Sequence, residues 1–128
     1  MAMQCAVLGA GAFGTALAVH LAHRGQQVRL WDRSPERCEQ MNRERQNPRH
    51  LKGTPLPPNL LATPDLLLAC TGAEMVVVAV PSHVVREVIT AASPAIPVGT
   101  QVCCAAKGIE EGTLETMHEV ITEVLGGA

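Results

Sequence analysis

A chain of 128 residues with 47% hydrophobic and 17% charged side chains has the make-up of one folded domain and too much apolar content for disorder. Its formal net charge of −2, with one Trp, one Phe and no Tyr, excludes the basic, aromatic-rich surface that binds nucleic acid. No apolar run stays free of charge for long enough to span a bilayer, so no membrane partner is expected either.

The start, Met1-Ala2-Met3-Gln4, lacks the basic segment of a signal peptide. Five cysteines form no C-x-x-C pair and no metal-ligating spacing with the five histidines, so no metal is expected and a reducing cytoplasm suits the chain. Cys5, Cys103 and Cys104 fall in predicted strands and are expected to be small buried residues. His20 and His23 are expected to be structural on the first helix.

Met3 to Leu8 is an apolar run of strand length. It feeds Gly9-Ala10-Gly11-Ala12-Phe13-Gly14, and an Ala-rich run of helix length follows. A G-x-G-x-x-G between strand and helix is the dinucleotide fingerprint. Gly9 allows the tight turn, Gly11 leaves room for a pyrophosphate against the main chain, and Gly14, with Ala18 one turn later, lets the helix lie close to the strand. The helix start then offers unpaired N–H groups and a favourable dipole to the diphosphate.

Arg24-Gly25 closes that helix. Val28 to Asp32 is the second strand, and Asp32 stands 18 residues past Gly14, where the fingerprint wants an acid for a ribose 2′-hydroxyl. Arg33 beside it can instead clamp a 2′-phosphate. A competing reading has Asp32 and Arg33 pairing with each other or capping the next helix. Ser34 as N-cap and Pro35 at the first helical position open that helix, which is expected to run to about Gln46. From Arg24 to Lys52 there are eight basic side chains against four acidic ones. They could attract a phosphorylated ligand, but most of the arginines read as a solvated helix face.

Asn47 to Asn59 holds four prolines and a glycine and reads as an irregular connection. A short strand over Asn59–Thr63 and a short helix over Asp65–Ala69 follow. Met75 to Val80, apolar and β-branched, is the clearest strand, as a central parallel strand should be. It stops at Pro81-Ser82, and the next helix carries Val84, Val85, Val88, Ile89 and Ala92 on one stripe. The loop at Pro81 lies at the carboxyl edge of the sheet, where ligands sit. A fifth strand, Gln101 to Ala106, runs into Lys107-Gly108 at the same edge, which gives Lys107 a ligand role, with a solvated loop lysine as the alternative. A last helix, about Thr113 to Leu125, has Leu114, Met117, Ile121, Val124 and Leu125 as core. The fold class is α/β: a Rossmann-type doubly wound parallel sheet of five strands with flanking helices, ordered 3-2-1-4-5, with residues 1–128 as one dinucleotide-binding domain.

The segments GAGAFGTALAVHLA, LWDRSPE, NPRHLKG, VVVAVPSHVVREV and AAKGIEEGTLETM together resemble the amino-terminal domain of bacterial NAD(P)-dependent glycerol-3-phosphate dehydrogenase, in register over almost the whole chain. The resemblance implies that Ala12 and Phe13 line the pyrophosphate and nicotinamide side. It implies that Arg33 meets the adenosine ribose or its 2′-phosphate, and that Lys107 lies near both the nicotinamide and the substrate. It implies reversible hydride transfer between NAD or NADP and dihydroxyacetone phosphate or sn-glycerol 3-phosphate, feeding phospholipid synthesis, with Lys107 as a catalytic and substrate-binding residue. Family members often carry a small residue where this chain has Asp32, which argues against a strict NADP preference and admits NAD. They also continue into a sixth strand and a helical substrate domain carrying a second catalytic lysine, neither of which is expected within these residues. The fifth strand is then expected at an edge, free to pair with another copy in a homodimer. The rival readings are a non-catalytic dinucleotide-sensing module, a purely structural domain, and a reductase of the β-hydroxyacid or ketopantoate type.

Overall fold

The computed structural model describes residues 2–106, 108, 110–113 and 115–126. Five parallel strands, β1 (Gln4–Leu8), β2 (Gln27–Trp31), β3 (Leu60–Thr63), β4 (Met75–Val78) and β5 (Gln101–Cys104), form one sheet in the order β3-β2-β1-β4-β5. The expected strand order is the observed one. The period-2 alternation of a strand divides β1 between two cores. Cys5 and Val7 join Val28, Leu30 and Val77 beneath α1 (Ala12–His23) and α2 (Pro35–Glu44). Ala6 and Leu8 join Val76 and Val78 beneath α3 (Leu66–Cys70), α4 (Val85–Ala92) and α5 (Met117–Val124). Both faces of β1 and β4 are therefore covered, which is why their sequences read as unbroken apolar runs.

Several boundaries differ from the expectation for identifiable reasons. Helix α2 stops at Glu44, short of Gln46, because Arg45 turns left-handed at φ 55°. The Arg45 guanidinium offsets that backbone cost by donating to the carbonyl oxygens of Leu56, Pro57 and Leu60. Helix α3 begins one residue late because Asp65 serves as its N-cap, accepting from the Leu68 N–H at 3.1 Å. Strand β4 ends at Val78 and β5 at Cys104, each two residues early, so the chain is already irregular where it reaches the sheet edge.

Helix α5 starts at Met117 rather than Thr113, since Thr116 and Glu119 form a reciprocal capping box. Met117, Val120 and Ile121 are its buried positions, Val124 and Leu125 pack half-buried, and Leu114 lies outside the described residues. The expectation of buried cysteines holds for Cys5 and fails for Cys103 and Cys104. Both are exposed, because β5 is an edge strand with β4 as its one partner. Burial raises the thiol pKa of Cys5 and Cys38 and pushes that of Cys70 up to about 11, which disfavours the reactive thiolate at neutral pH.

Arg86 on α4 holds the segment that follows β5. Its guanidinium meets Glu110 at 2.9 Å, Glu115 at 3.4 Å and Glu123 of α5 at 3.3 Å. The hydrogen bond from Arg86 holds the Glu110 carboxyl below the usual 4.5. Glu123 is lowered by its hydrogen bond with Glu115 and then by Arg86, and Glu115 is raised by the same contact with Glu123. A depressed carboxyl contributes stability above its unfolded value that is lost as the pH falls through the folded one; the raised Glu115 runs the other way. Two of the three lose their contribution on acidification, so α5 is expected to loosen below the usual 4.5. Amide hydrogen exchange of α5 against pH checks this. Arg86→Met should raise α5 exchange at neutral pH and flatten the acid dependence; an unchanged acid dependence would refute the clamp.

Candidate functional site

The chain winds from β1 outward through β2 to β3, then returns past β1 to β4 and β5, so the topological switch point lies at the carboxyl end of β1. A crevice opens there by construction, because the connections leave β1 and β4 toward opposite faces. A cleft of about 650 Å³ occupies it. Its walls come from the ends of four neighbouring strands: Gly9 to Gly14 after β1, Trp31 to Arg33 after β2, Ala79 to Pro81 after β4, and Ala105 and Ala106 after β5.

The glycine turn has distinct steric demands at each position. Gly9 adopts φ +123°, and a Cβ there would sit 2.7 Å from the Ala79 carbonyl oxygen. A Cβ on Gly14 would lie 1.9 Å from the Gly9 carbonyl oxygen and 3.2 Å from the Ala79 Cβ. Gly11 is different. Its backbone is ordinary (φ −75°), and a Cβ would meet nothing within 4 Å. The space above Gly11 is therefore open, and it belongs to the cleft.

Helix α1 begins here with Gly11 as N-cap, no side-chain cap and no acidic residue in its first turn. The first intrahelical bond from this turn is Thr15 N–H to the Gly11 carbonyl, at 2.9 Å. The N–H groups of Ala12, Phe13 and Gly14 precede it and have no intrahelical acceptor. Uncompensated donors, the positive end of the helix dipole and an open space above Gly11 fit a diphosphate. Phe13 lines the same cleft while 62% exposed.

At the end of β2, Asp32 does not pair with Arg33. Its Oδ2 accepts from the Ser34 N–H at 3.0 Å and from Arg37 Nε at 2.9 Å. The capping alternative is thus partly realised, since Asp32 braces the start of α2, while Ser34 Oγ caps it by accepting from Arg37 N–H. Among the described residues Oδ1 of Asp32 has no hydrogen-bond partner and Arg33 has no ion pair. Arg37 is an exception among these arginines, most of which were expected to form a solvated face. It lines the cleft and a smaller adjoining cavity of about 120 Å³.

That smaller cavity is bounded by Ala10, Gly11, Asn47, Arg49 and His50 as well as Asp32 and Arg37. Asn47 is buried and explains why the proline-rich loop returns to the glycine turn. Its Nδ2 donates to the Ala10 carbonyl at 3.0 Å and to Thr15 Oγ1 at 2.9 Å, and its Oδ1 accepts from the N–H groups of Arg49 and His50, both at 3.2 Å. Truncating it would orphan buried partners, a cost of about 1–3 kcal/mol.

Residues 4–128 match the family described as NAD-dependent glycerol-3-phosphate dehydrogenase N-terminus. The chain belongs to this family. It is 47% identical over 123 residues to the glycerol-3-phosphate dehydrogenase [NAD(P)+] of Anaeromyxobacter sp. (strain K), a match that takes in 96% of this chain and 37% of that protein. The enzyme of the same name from Stenotrophomonas maltophilia (strain R551-3) is 46% identical over 96% of this chain and 36% of its own. The crystal structure of glycerol-3-phosphate dehydrogenase from Coxiella burnetii superposes with a TM-score of 0.91 at 38% identity, over 98% of this chain and 38% of that one. The chain thus spans little more than a third of the length of these relatives.

The family is NAD-dependent by description and the relatives' names carry NAD(P)+, in line with the expected NAD or NADP. Membership also disfavours the rival ketopantoate-type and β-hydroxyacid-type readings. Gly9, Gly11, Ala12, Phe13, Gly14, Asp32, Arg33 and Pro81, singled out from the sequence, all line the one cleft. Lys107 lies outside the described residues. Trp31, Arg37, His83 and Glu87 line the cleft too and were not assigned a site role from the sequence. A signal for Arg37 was present, since a residue three past an N-cap sits in the first helical turn, beside the end of the preceding strand.

Among the described residues no helix is long and apolar enough to cross a membrane, and no group of three or more His, Cys, Asp or Glu side chains is placed to hold a metal ion.

Proposed function

We propose that these residues are the dinucleotide-binding domain of an enzyme that interconverts dihydroxyacetone phosphate and sn-glycerol 3-phosphate with NAD(P), in the cytoplasm, feeding glycerophospholipid synthesis. The observation that carries the reading is the uncapped start of α1 facing an open cleft at the switch point, within a chain of this family. The nicotinamide, when bound, supplies the redox chemistry. The chain's own residues bind and orient: Ala12, Phe13 and Gly14 offer N–H donors to the diphosphate, and Gly11 leaves it room. Asp32 and Arg33 take the adenosine ribose, and Pro81 shapes the wall opposite. Lys107, three residues past β5 in sequence, is assigned the polarisation of the substrate carbonyl and delivery of its proton. Five free thiols and no disulfide support a reducing compartment.

Calorimetric titration of the chain with NADH and NADPH tests the reading, and binding of neither overturns it. Arg33→Ala should weaken NADPH by roughly 10- to 150-fold and NADH far less, as the loss of a charge-assisted contact worth about 1.5–3 kcal/mol requires. Equal weakening of both would remove Arg33 from the ribose.

A further inference from the structure

The peptide that joins Ala10 to Gly11 is held from outside the glycine turn. Ala10 stands between Gly9 and Gly11, and residues without a Cβ do little to fix the peptide planes beside them. The restraint comes from the proline-rich loop, which is tied to both ends of α1 by an asparagine at each of its own ends. Asn59 Nδ2 donates to the carbonyls of Ala22 and Gln26, both at 2.7 Å, where α1 closes. Asn47 Nδ2 donates to the Ala10 carbonyl at 3.0 Å and to Thr15 Oγ1 at 2.9 Å, where α1 opens. The second tie alone reaches the cleft, since Ala10 lines it and Ala22, Gln26 and Asn59 do not. A trans peptide directs its C=O and its N–H to opposite sides. With the Ala10 carbonyl turned to Asn47, the Gly11 N–H is turned away from it, and it has no acceptor among the described residues.

We propose that Asn47 is a positioning residue for the diphosphate: by holding the Ala10 carbonyl it aims the Gly11 N–H into the cleft, beside the free N–H groups that open α1. This rests on the dinucleotide reading above. In this role Asn47 acts through the Ala10–Gly11 peptide rather than by touching the ligand. Turning that peptide over would break a buried bond and leave both the Asn47 amide and the Ala10 carbonyl unpaired, so the donor is fixed before the anion arrives. Asn47 Oδ1 meanwhile accepts from the N–H groups of Arg49 and His50, so the loop and the turn behave as one unit. The bond from Asn47 to Thr15 extends the unit into the first turn of α1. An asparagine that merely stiffened the loop would contribute stability and favour no class of ligand over another.

The test is NMR titration of the purified chain with ADP-ribose, which carries the diphosphate, and with adenosine, which carries no phosphate. On binding ADP-ribose the wild-type Gly11 amide proton is expected to move downfield, as a donor does when it gains a charged acceptor. Asn47→Ala should weaken ADP-ribose by about ten-fold or more and abolish that shift, while adenosine changes by less than about two-fold. Asn59→Ala removes the other tie of the same loop, and it should lower the melting temperature while leaving both affinities unchanged. Asn47→Asp keeps an acceptor for the Arg49 and His50 N–H groups and lacks the donor for Ala10. It should lose the Gly11 shift too, and it decides the matter if Asn47→Ala does not fold. Undiminished ADP-ribose affinity in either Asn47 variant, an equal loss of both ligands, or a matching loss in Asn59→Ala overturns the proposal. A wild-type chain that binds ADP-ribose without moving the Gly11 amide overturns it and leaves the dinucleotide reading intact. Binding of neither ligand overturns both.

Discussion

Gly11→Val is expected to fold normally and lose dinucleotide binding, whereas Gly14→Ala is expected to lose stability. The two glycines are three residues apart in one turn and fail in opposite ways. A Cβ on Gly11 meets no protein atom within 4 Å and needs no unusual backbone, so a side chain there is expected to cost little stability and to fill the place of the diphosphate. A methyl on Gly14 would sit 1.9 Å from the Gly9 carbonyl oxygen, a rigid main-chain atom, and relief requires α1 to move off the sheet. Overpacking of that kind is expected to cost about 1–3 kcal/mol or somewhat more, roughly a 5–15 °C fall in melting temperature for a domain of this size. Thermal denaturation and calorimetry on the two variants check the pair. Undiminished NADPH affinity in folded Gly11→Val would mean the cofactor does not lie on this turn, and a wild-type melting temperature for Gly14→Ala would mean α1 is not seated as described.

The polypeptide of these 128 residues, mixed with NADH or NADPH and dihydroxyacetone phosphate, is expected to show no substrate-dependent cofactor oxidation. Holding a substrate in reacting geometry, sheltered from water, can be worth about 7–11 kcal/mol of barrier. Little in the described cleft could do this. Its two arginines, Arg33 and Arg37, follow β2 at the ribose end, and the ionisable side chains contributed by the segment after β4 are His83 and Glu87. Glu87 would repel a phosphorylated substrate. Phe13, 62% exposed, is left without a covering wall. The family relatives extend for nearly two-thirds of their length beyond the match, and the substrate's remaining anchors are proposed to lie there. Lys107 alone would supply one cation. Absorbance at the reduced-nicotinamide band measures the outcome. Turnover at the rate of a full-length relative, retained in Lys107→Ala, would refute both the openness of the cleft and the role assigned to Lys107.

Much of this was legible without coordinates. Strand positions and the glycine turn follow from short-range rules, and the strand order from the topology of a doubly wound sheet: the β-branched run Val76–Val78 wants cover on both faces, and Ser34-Pro35 is a favoured helix start. The positive φ of Gly9 and the crowding at Gly14 belong to the same local grammar, because a tight strand-to-helix turn imposes them on any chain that makes it. Side chains that reach across the fold were not legible. Asn47 joins the glycine turn over an interval of 37 residues, and Arg86 gathers glutamates from the segment after β5 and from α5. No periodicity encodes such contacts, because they depend on which helix lies on which face of the sheet. Cys103 and Cys104 look like core residues in sequence and are exposed in space; the edge position of the fifth strand was expected, but how much of an edge strand its neighbouring elements cover is decided only by the packed structure. Asp32 and Arg33 are adjacent in sequence, yet the acid turns to Arg37, because the first turn of α2 brings that guanidinium within 2.9 Å and the backbone at the end of β2 sends Arg33 outward to solvent.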